Sequence, residues 1–310
     1  MTIRTPSTSQ TQQTILDLER TQSRLAQNQT RISTGNRLTS PGEDPAASAS
    51  ILELGSSIQA NTQYLKQADT AMGYLSSSED IVSASISDVE RLQELATQAL
   101  GTTNTAATRS AEAYEVDSLR THLLGLANTQ VQGKYIFAGT QTLGTAAHPL
   151  PFEDAAPPAG PINYWGNSGS IDLAVTATTK VSTNIPGNTV FFGAGGQGSS
   201  SDVFQAVTDL RDGLNTNNVA LITSASANLQ TSLNSLIKSQ TDLGGRQAGL
   251  LNLKDTLSSF NVTLQGMQSN QQDTDYAKSI TEYSNDQIAQ TATLNVLGRT
   301  NKTNLFDYLA

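Results

Sequence analysis

Residues 45–100 read PAASASILELGSSIQANTQYLKQADTAMGYLSSSEDIVSASISDVERLQELATQAL and carry one apolar repeat of seven residues throughout. One position of the repeat holds Ile51, Ile58, Leu65, Met72, Glu79, Ile86 and Gln93, and the position three residues later holds Leu54, Asn61, Ala68, Leu75, Val82, Val89 and Ala96. A heptad of this kind is typical of a long amphipathic helix with a coiled-coil seam. Asp44 suits the N-cap and Pro45 the first helical position, so the stretch predicts one continuous helix.

A second repeat of seven residues occupies the later half of the chain. From Ile222 every seventh residue is aliphatic, although Gly244 and Gly245 interrupt the region and permit a gentle bend. The two repeats predict helices of similar length that pack together, and because the chain reverses direction between them we expect an antiparallel pair. The predicted core of this helical body consists of Ile51, Leu54, Ile58, Leu65, Leu229, Leu236, Leu243, Leu250, Leu257 and Leu264.

Shorter elements lie between the two long helices. Apolar residues from Val116 to Leu126 predict a third helix that ends at Gly133, and a further short helix follows Asp202. Residues 141–200 differ, because they are rich in proline and contain short stretches in which apolar and polar residues alternate. Alternation with a period of two residues is typical of a half-buried strand, so we predict a small antiparallel β insertion here.

These elements predict a mainly α fold: a long antiparallel coiled-coil-like helical bundle built from both chain ends, with a small inserted antiparallel β domain. We expect a terminal coiled-coil domain formed by residues 1–40 plus 270–310. Residues 41–145 plus 199–269 are expected to form the long helical body. Residues 146–198 are expected to form the inserted β domain on the outer surface.

The two chain ends carry weaker repeats. Their heptad positions are partly occupied by glutamines such as Gln22, Gln29, Gln287 and Gln290. A helix with a half-polar face does not bury enough apolar surface to offset its ordering entropy alone. We therefore predict that the ends pack together and form a seam for assembly with neighbouring copies. The predicted assembly seam comprises Leu18, Leu25, Ile32, Ile280, Tyr283, Leu294, Leu297 and Phe306.

Composition excludes several classes of function. The 310 residues include no cysteine and two histidines, which removes disulfides, thiolate metal sites and cysteine nucleophiles. A net charge of −9 argues against a nucleic-acid partner. We see no apolar run long enough to span a membrane and no apolar signal segment near Met1, so we predict neither membrane insertion nor a cleavable leader. No catalytic residue, cofactor site or metal site is predicted.

Four sequence segments resemble the flagellin superfamily of bacterial axial proteins. They are STGNRLTSPGEDPAA at 33–47, GKYIFAGT at 133–140, DTDYAKSITE at 273–282 and LFDYL at 305–309. The first departs from the family signature in having Asn36 for lysine and Glu43 for aspartate. The motif positions that carry the resemblance are Gly35, Arg37, Pro41, Asp44, Pro45, Gly133, Tyr135, Phe137 and Gly139.

The resemblance implies a structural subunit of the bacterial flagellum that self-assembles at the junction between hook and filament. Its implied partners are further copies of itself, hook-associated protein 1, flagellin, and a flagellar export chaperone with the export apparatus. Its implied location is outside the cell, in the flagellum, after export without a cleavable signal peptide. A flagellin or flagellin-like filament subunit is the alternative within the family.

Two alternatives come from other classes. An enzyme would use the group formed by His148, Glu153 and Asp154, which we interpret as a solvated turn because the insertion contains no second histidine and no cysteine. A coiled-coil adhesin is disfavoured because neither a secretion leader nor an anchor is visible.

Overall fold

The heptad repeats form long helices, and the predicted mainly α fold is confirmed. The computed structural model describes residues 6–102, 104–155 and 160–309, with side chains described between residues 12 and 298 of those ranges. The helices are α1 (Pro6–Thr34), α2 (Pro45–Ala99), α3 (Ala106–Ala127), α4 (Gly187–Phe191), α5 (Val203–Asn215), α6 (Val219–Gln272) and α7 (Tyr276–Leu309). The strands are β1 (Gln130–Val131), β2 (Lys134–Tyr135), β3 (Phe152–Asp154), β4 (Ile162–Tyr164), β5 (Asp172–Ala174) and β6 (Lys180–Ser182).

The strands form short antiparallel pairs in sequence order: β1 with β2, β3 with β4, and β5 with β6. The first hairpin corrects the expected end of the third helix. That helix ends at Ala127, and Gly133 lies instead in the turn of the β1–β2 hairpin. Gln132 and Gly133 have φ values of 53° and 76°, the pair of positive angles that a tight hairpin turn requires.

The chain divides into two compact units. The first comprises Met1–Ala60 and Ser259–Ala310, and the second comprises Asn61–Ser258. The β hairpins therefore fall inside the second unit together with α3, α5 and the larger parts of α2 and α6. The three-domain boundaries expected from the sequence stay a prediction beside this two-unit division.

In the second unit α2 and α6 run antiparallel. The Asn61 side chain donates a hydrogen bond of 2.7 Å to the carbonyl of Leu257, and Gln93, later in α2, contacts Gln230, earlier in α6. Helix α6 continues through Gly244 and Gly245 without interruption. Its aliphatic repeat faces the core, because the residues at these positions, Leu229, Leu236, Leu243, Leu250, Leu257 and Leu264, are all buried.

The buried face of α2 differs from the expected one at one of its two heptad positions. The position that begins at Leu54 is buried from Asn61 onward, as its apolar character suggests. The other buried position lies one residue before the expected Met72, Glu79, Ile86 and Gln93 and holds Ala71, Ser78, Ser85, Leu92 and Ala99. Small residues at this position allow close packing by neighbouring helices, while Met72 and Ile86 pack at the margin of the core. Ile51, Leu54, Ile58 and Leu65 are half-buried.

An aromatic cluster joins the β hairpins to the helices of the second unit. Phe152 makes ring contacts with Tyr164, Phe191, Phe192 and Phe204, with centroids 4.9–5.9 Å apart. Edge-to-face and tilted packing at these distances adds stabilisation beyond the buried area. The predicted insertion therefore shares its core with α5.

Candidate assembly surface

The terminal helices α1 and α7 pack antiparallel against each other in the first unit. On each helix the less exposed residues repeat at alternating spacings of three and four. They are Thr14, Leu18, Thr21, Leu25, Asn28 and Ile32 on α1, and Ser279, Tyr283, Asp286, Gln290, Thr293 and Leu297 on α7. This spacing is that of a coiled-coil seam, but more than half of its positions are polar.

Polar contacts occupy the middle of this seam. The side-chain amide of Asn28 donates a hydrogen bond of 3.3 Å to Asp286, and Arg24 forms an ion pair of 3.2 Å with the same carboxylate. Thr21 is buried, and its hydroxyl donates a hydrogen bond to the carbonyl of Asp17 in its own helix. The α1/α7 helix pair is thus held together by a few polar contacts and a small buried apolar area. These interactions alone give the pair little stability.

Apolar side chains remain exposed on the outer faces of both terminal helices. Each is at least 44% accessible, and the set is Ile15, Leu16, Ile280, Ile288, Leu294 and Val296. Single exposed apolar residues are ordinary, so it is the recurrence of the set on two paired helices that distinguishes this surface.

The structure separates the residues of the predicted assembly seam into two groups. Leu18, Leu25, Ile32, Tyr283 and Leu297 are half-buried in the α1/α7 seam of one chain. Ile280 and Leu294 point outward and are available to a neighbour. The side chain of Phe306 lies outside the described residues.

The 33–47 motif connects α1 to α2 and contacts the link between α6 and α7. Gly35 has a φ of 74°, and a side chain there would meet the Tyr276 hydroxyl at 2.9 Å. Asn36 forms an antiparallel bridge with Asp273, so the two links lie side by side. The sequence does not predict this contact, because no local pattern relates residue 36 to residue 273.

Two carboxylates of the motif are held by cationic and backbone donors. Asp44 caps α2 by accepting a 3.0 Å hydrogen bond from the amide of Ala47, and with its ion pair to Arg37 this lowers the pKa of the carboxyl. The pKa of Glu43 is also lowered, first by the hydroxyl of Thr39 and then by Arg31. Both groups therefore favour the ionised form in the folded chain.

The motif positions of the 133–140 segment are structural. Tyr135 and Phe137 are buried, and the carbonyl of Phe137 accepts hydrogen bonds from the Tyr164 hydroxyl and the Gly187 amide. Gly139 has a φ of 67°, and a Cβ there would lie 2.1 Å from the carbonyl oxygen of Asn167. These positions specify the packing of the β hairpins.

The three residues weighed for an enzyme do not form one site. Asp154 pairs with Arg120 at 2.8 Å and both are buried, whereas Glu153 contacts His148 at 2.9 Å. His148 stacks flat on Trp165 with ring centroids 3.5 Å apart. Within the described parts of the chain, no group of three or more His, Cys, Asp or Glu residues is arranged to hold a metal ion.

Comparisons with known proteins agree with the geometry of the terminal helices and the motif. The family model for the bacterial flagellin N-terminal helical region matches residues 7–142. The flagellar hook-associated protein 3 of Salmonella typhimurium is 27% identical over 279 residues, which cover 84% of this chain and 84% of that protein.

Solved structures show the same fold. A putative flagellar hook-associated protein from Vibrio parahaemolyticus superposes with a TM-score of 0.67 at 19% identity, over 74% of this chain and all of that one. The flagellar junction protein FlgL from Legionella pneumophila gives a TM-score of 0.57 at 18% identity, over 74% of this chain and all of that one.

Across the residues that the structure describes, none of the helices combines the length and apolar character that crossing a bilayer requires. The chain is similar over 84% of its length to flagellar hook-associated protein 3, and its residues 7–142 match the bacterial flagellin N-terminal helical region.

Proposed function

We propose that the chain is a structural subunit of the bacterial flagellum that forms the junction between hook and filament by self-assembly. The observation that carries this role is the α1/α7 pair, whose half-polar seam is closed within one chain while apolar side chains remain exposed outside it. Two similar relatives carry the name of flagellar hook-associated protein 3, and a solved structure of the same fold is titled a junction protein.

The physical reason for assembly through the terminal helices is an incomplete burial of their apolar surface. Ile280 and Leu294 lie on α7 with about half of their surface in water. Burial of apolar surface contributes about 25 cal/mol per Å², so contacts repeated between neighbouring subunits would stabilise an assembly. The role is structural and involves no catalytic step.

The proposed partners follow from the position of the junction between the hook and the filament. One end of the assembly contacts hook-associated protein 1, and the opposite end contacts flagellin. A flagellar export chaperone and the export apparatus handle the chain before assembly, and the chain leaves the cell without loss of a cleavable signal peptide. Mass spectrometry of the protein from isolated flagella tests the last point, since an unprocessed N-terminal segment is expected.

Position on the flagellum distinguishes the junction role from that of a filament subunit. An epitope replaces residues 176–179, which lie mostly exposed in the turn between β5 and β6. Immunogold labelling of isolated flagella should then give one label site per filament, at the hook end. The same epitope in flagellin of the same strain is the control and should label the whole length. Labelling of our chain along the filament would establish the filament-subunit alternative instead.

A further inference from the structure

We infer that Arg37 fixes the register of the α1/α7 pair, by clamping the link between α1 and α2 onto the link between α6 and α7. This role goes beyond the proposed function, because it concerns how one chain aligns its own ends. It holds whether the chain is a junction or a filament subunit.

The backbone of the two links forms a short antiparallel ladder. The amide of Arg37 donates a 2.7 Å hydrogen bond to the carbonyl of Gln272, and the amide of Thr274 donates one of 2.8 Å to the carbonyl of Gly35. Between them lies the bridge of Asn36 with Asp273. The ladder fixes which residue after α1 stands opposite which residue before α7.

The side chain of Arg37 joins three elements at this ladder. Its Nε donates a 3.1 Å hydrogen bond to the carbonyl of Gln271, in the last turn of α6. Its Nη2 lies 3.3 Å from the carboxylate of Asp44, which caps α2. Carbonyls in the last turn of a helix have no partner within the helix, and a planar guanidinium can satisfy one while it pairs with a carboxylate.

The α1/α7 seam does not fix its own alignment. Polar residues recur there at heptad spacing, so a shift by one heptad would again place polar side chains opposite one another; they are Thr14, Thr21 and Asn28 on α1, and Ser279, Asp286 and Thr293 on α7. Such a shift would lose the contacts of Asp286 with Arg24 and Asn28, but the Arg24 side chain is 60% exposed, and an ion pair of this kind contributes little free energy. Because about 240 residues separate the two helices, the local tether decides the alignment.

A distance measurement between the two helices tests the role of Arg37. The chain contains no cysteine, so cysteines introduced at the exposed positions Gln29 and Gln287 can be spin-labelled without background. Pulsed electron resonance on the full-length monomer should give one narrow distance distribution. In Arg37→Gln the distribution should broaden and gain a population displaced along the helix axis by about 10 Å, the rise of seven residues at ~1.5 Å each.

Matched variants separate a local clamp from a general loss of structure. Arg20→Gln removes an exposed arginine of α1 whose ion pair, among the described residues, is with Asp17 of the same helix, so the distance distribution of this variant should match that of the parent. Asp44→Asn keeps an oxygen to cap α2 but removes the carboxylate that faces Arg37, so it should broaden the distribution less than Arg37→Gln does. A parent-like distribution in both Arg37→Gln and Asp44→Asn would overturn the inference.

Hydrogen exchange gives the second measurement. The amide of Thr274 should exchange faster in Arg37→Gln, whereas amides of residues 61–258 should keep their protection. Loss of protection throughout residues 61–258 would show a global effect and would also overturn the inference.

Discussion

At the scale of single residues, the links between helices carry the strictest requirements. Gly35 combines a left-handed backbone with close approach to Tyr276, whereas Gly42 in the same motif has open space around it and no positive φ. Asp44 both caps α2 and pairs with Arg37. In the 33–47 motif, Gly35 thus meets a requirement of backbone geometry, and Asp44 meets a requirement of charge.

Gly35→Ala should destabilise the first unit. The left-handed conformation costs a non-glycine residue about 1–2 kcal/mol, and the added methyl group must displace the Tyr276 hydroxyl. Urea denaturation followed by helical circular dichroism measures the change. Gly42→Ala is the matched control and should change the free energy of unfolding by less than about 0.5 kcal/mol. Equal effects of the two substitutions would contradict the assigned role of Gly35.

Acid should lower the free energy of unfolding more in the parent chain than in a variant that lacks one of the two motif carboxylates. Hydrogen bonding and the nearby arginines lower the pKa of Glu43 and Asp44 below their ordinary values of 4.5 and 3.8. Their contribution is therefore complete above the unfolded-state values and is lost as pH falls through the lower folded-state values. Unfolding free energies measured from pH 6 to pH 2 should fall less steeply for Glu43→Gln than for the parent. Parallel curves would refute the link.

At the scale of elements, two helix pairs of one chain differ in how their seams are filled. The α2/α6 pair of the second unit buries an aliphatic repeat, whereas the α1/α7 pair buries threonine, asparagine and serine at heptad positions. Because apolar burial supplies most of the stability of a helix pair, the two pairs should open at different free energies.

Leu243→Asp should severely destabilise the second unit. Leu243 is fully buried, its transfer from water is worth roughly 1.5–3 kcal/mol, and an unpaired buried carboxylate adds several kcal/mol. Lys238→Asp places the same side chain on the exposed face of α6 and should cost little. Thermal unfolding of both variants gives the comparison. A cell that carries the core variant should make hooks and release flagellin into the medium.

Amide exchange in the isolated chain should rank the two pairs. Amides of α1 and α7 should exchange faster than those of residues 61–99 and 219–258, because the terminal seam is half polar. Residues of the exposed set on α7, such as Ile280 and Leu294, should gain protection only on assembly. Uniformly strong protection at the ends of the monomer would mean that the terminal pair is stable without neighbours.

At the scale of the whole molecule, the β hairpins are built into the core of the second unit. Phe152 and Phe191 of the insertion contact Phe204 of α5, and Arg120 of α3 forms its buried ion pair with Asp154. A separate surface domain at residues 146–198, as expected from the sequence, would not make these contacts with α3 and α5. The hairpins and the helices should therefore unfold together.

Replacement of residues 146–198 by a short Gly/Ser linker should destabilise the second unit. The deletion would expose Phe137 and Phe204 and leave Arg120 without its carboxylate. Truncation of one buried phenylalanine to alanine typically costs about 3–5 kcal/mol. Replacement of residues 176–179 alone, in a hairpin turn, should be tolerated. Unchanged thermal unfolding of the larger deletion would instead support an independent β domain.

The sequence by itself determined the elements whose causes are local. The heptads of α2 and α6 and the cap at Asp44 follow from residues a few positions apart, and the antiparallel pairing follows from the reversal of the chain between two repeats of similar length. Tertiary structure decided which flank of α2 is buried, because Ala71 rather than Met72 faces the neighbouring helices. It also decided that Asn36 meets Asp273. A contact across more than 200 residues has no local periodicity, and its energy exists only after the helices have packed.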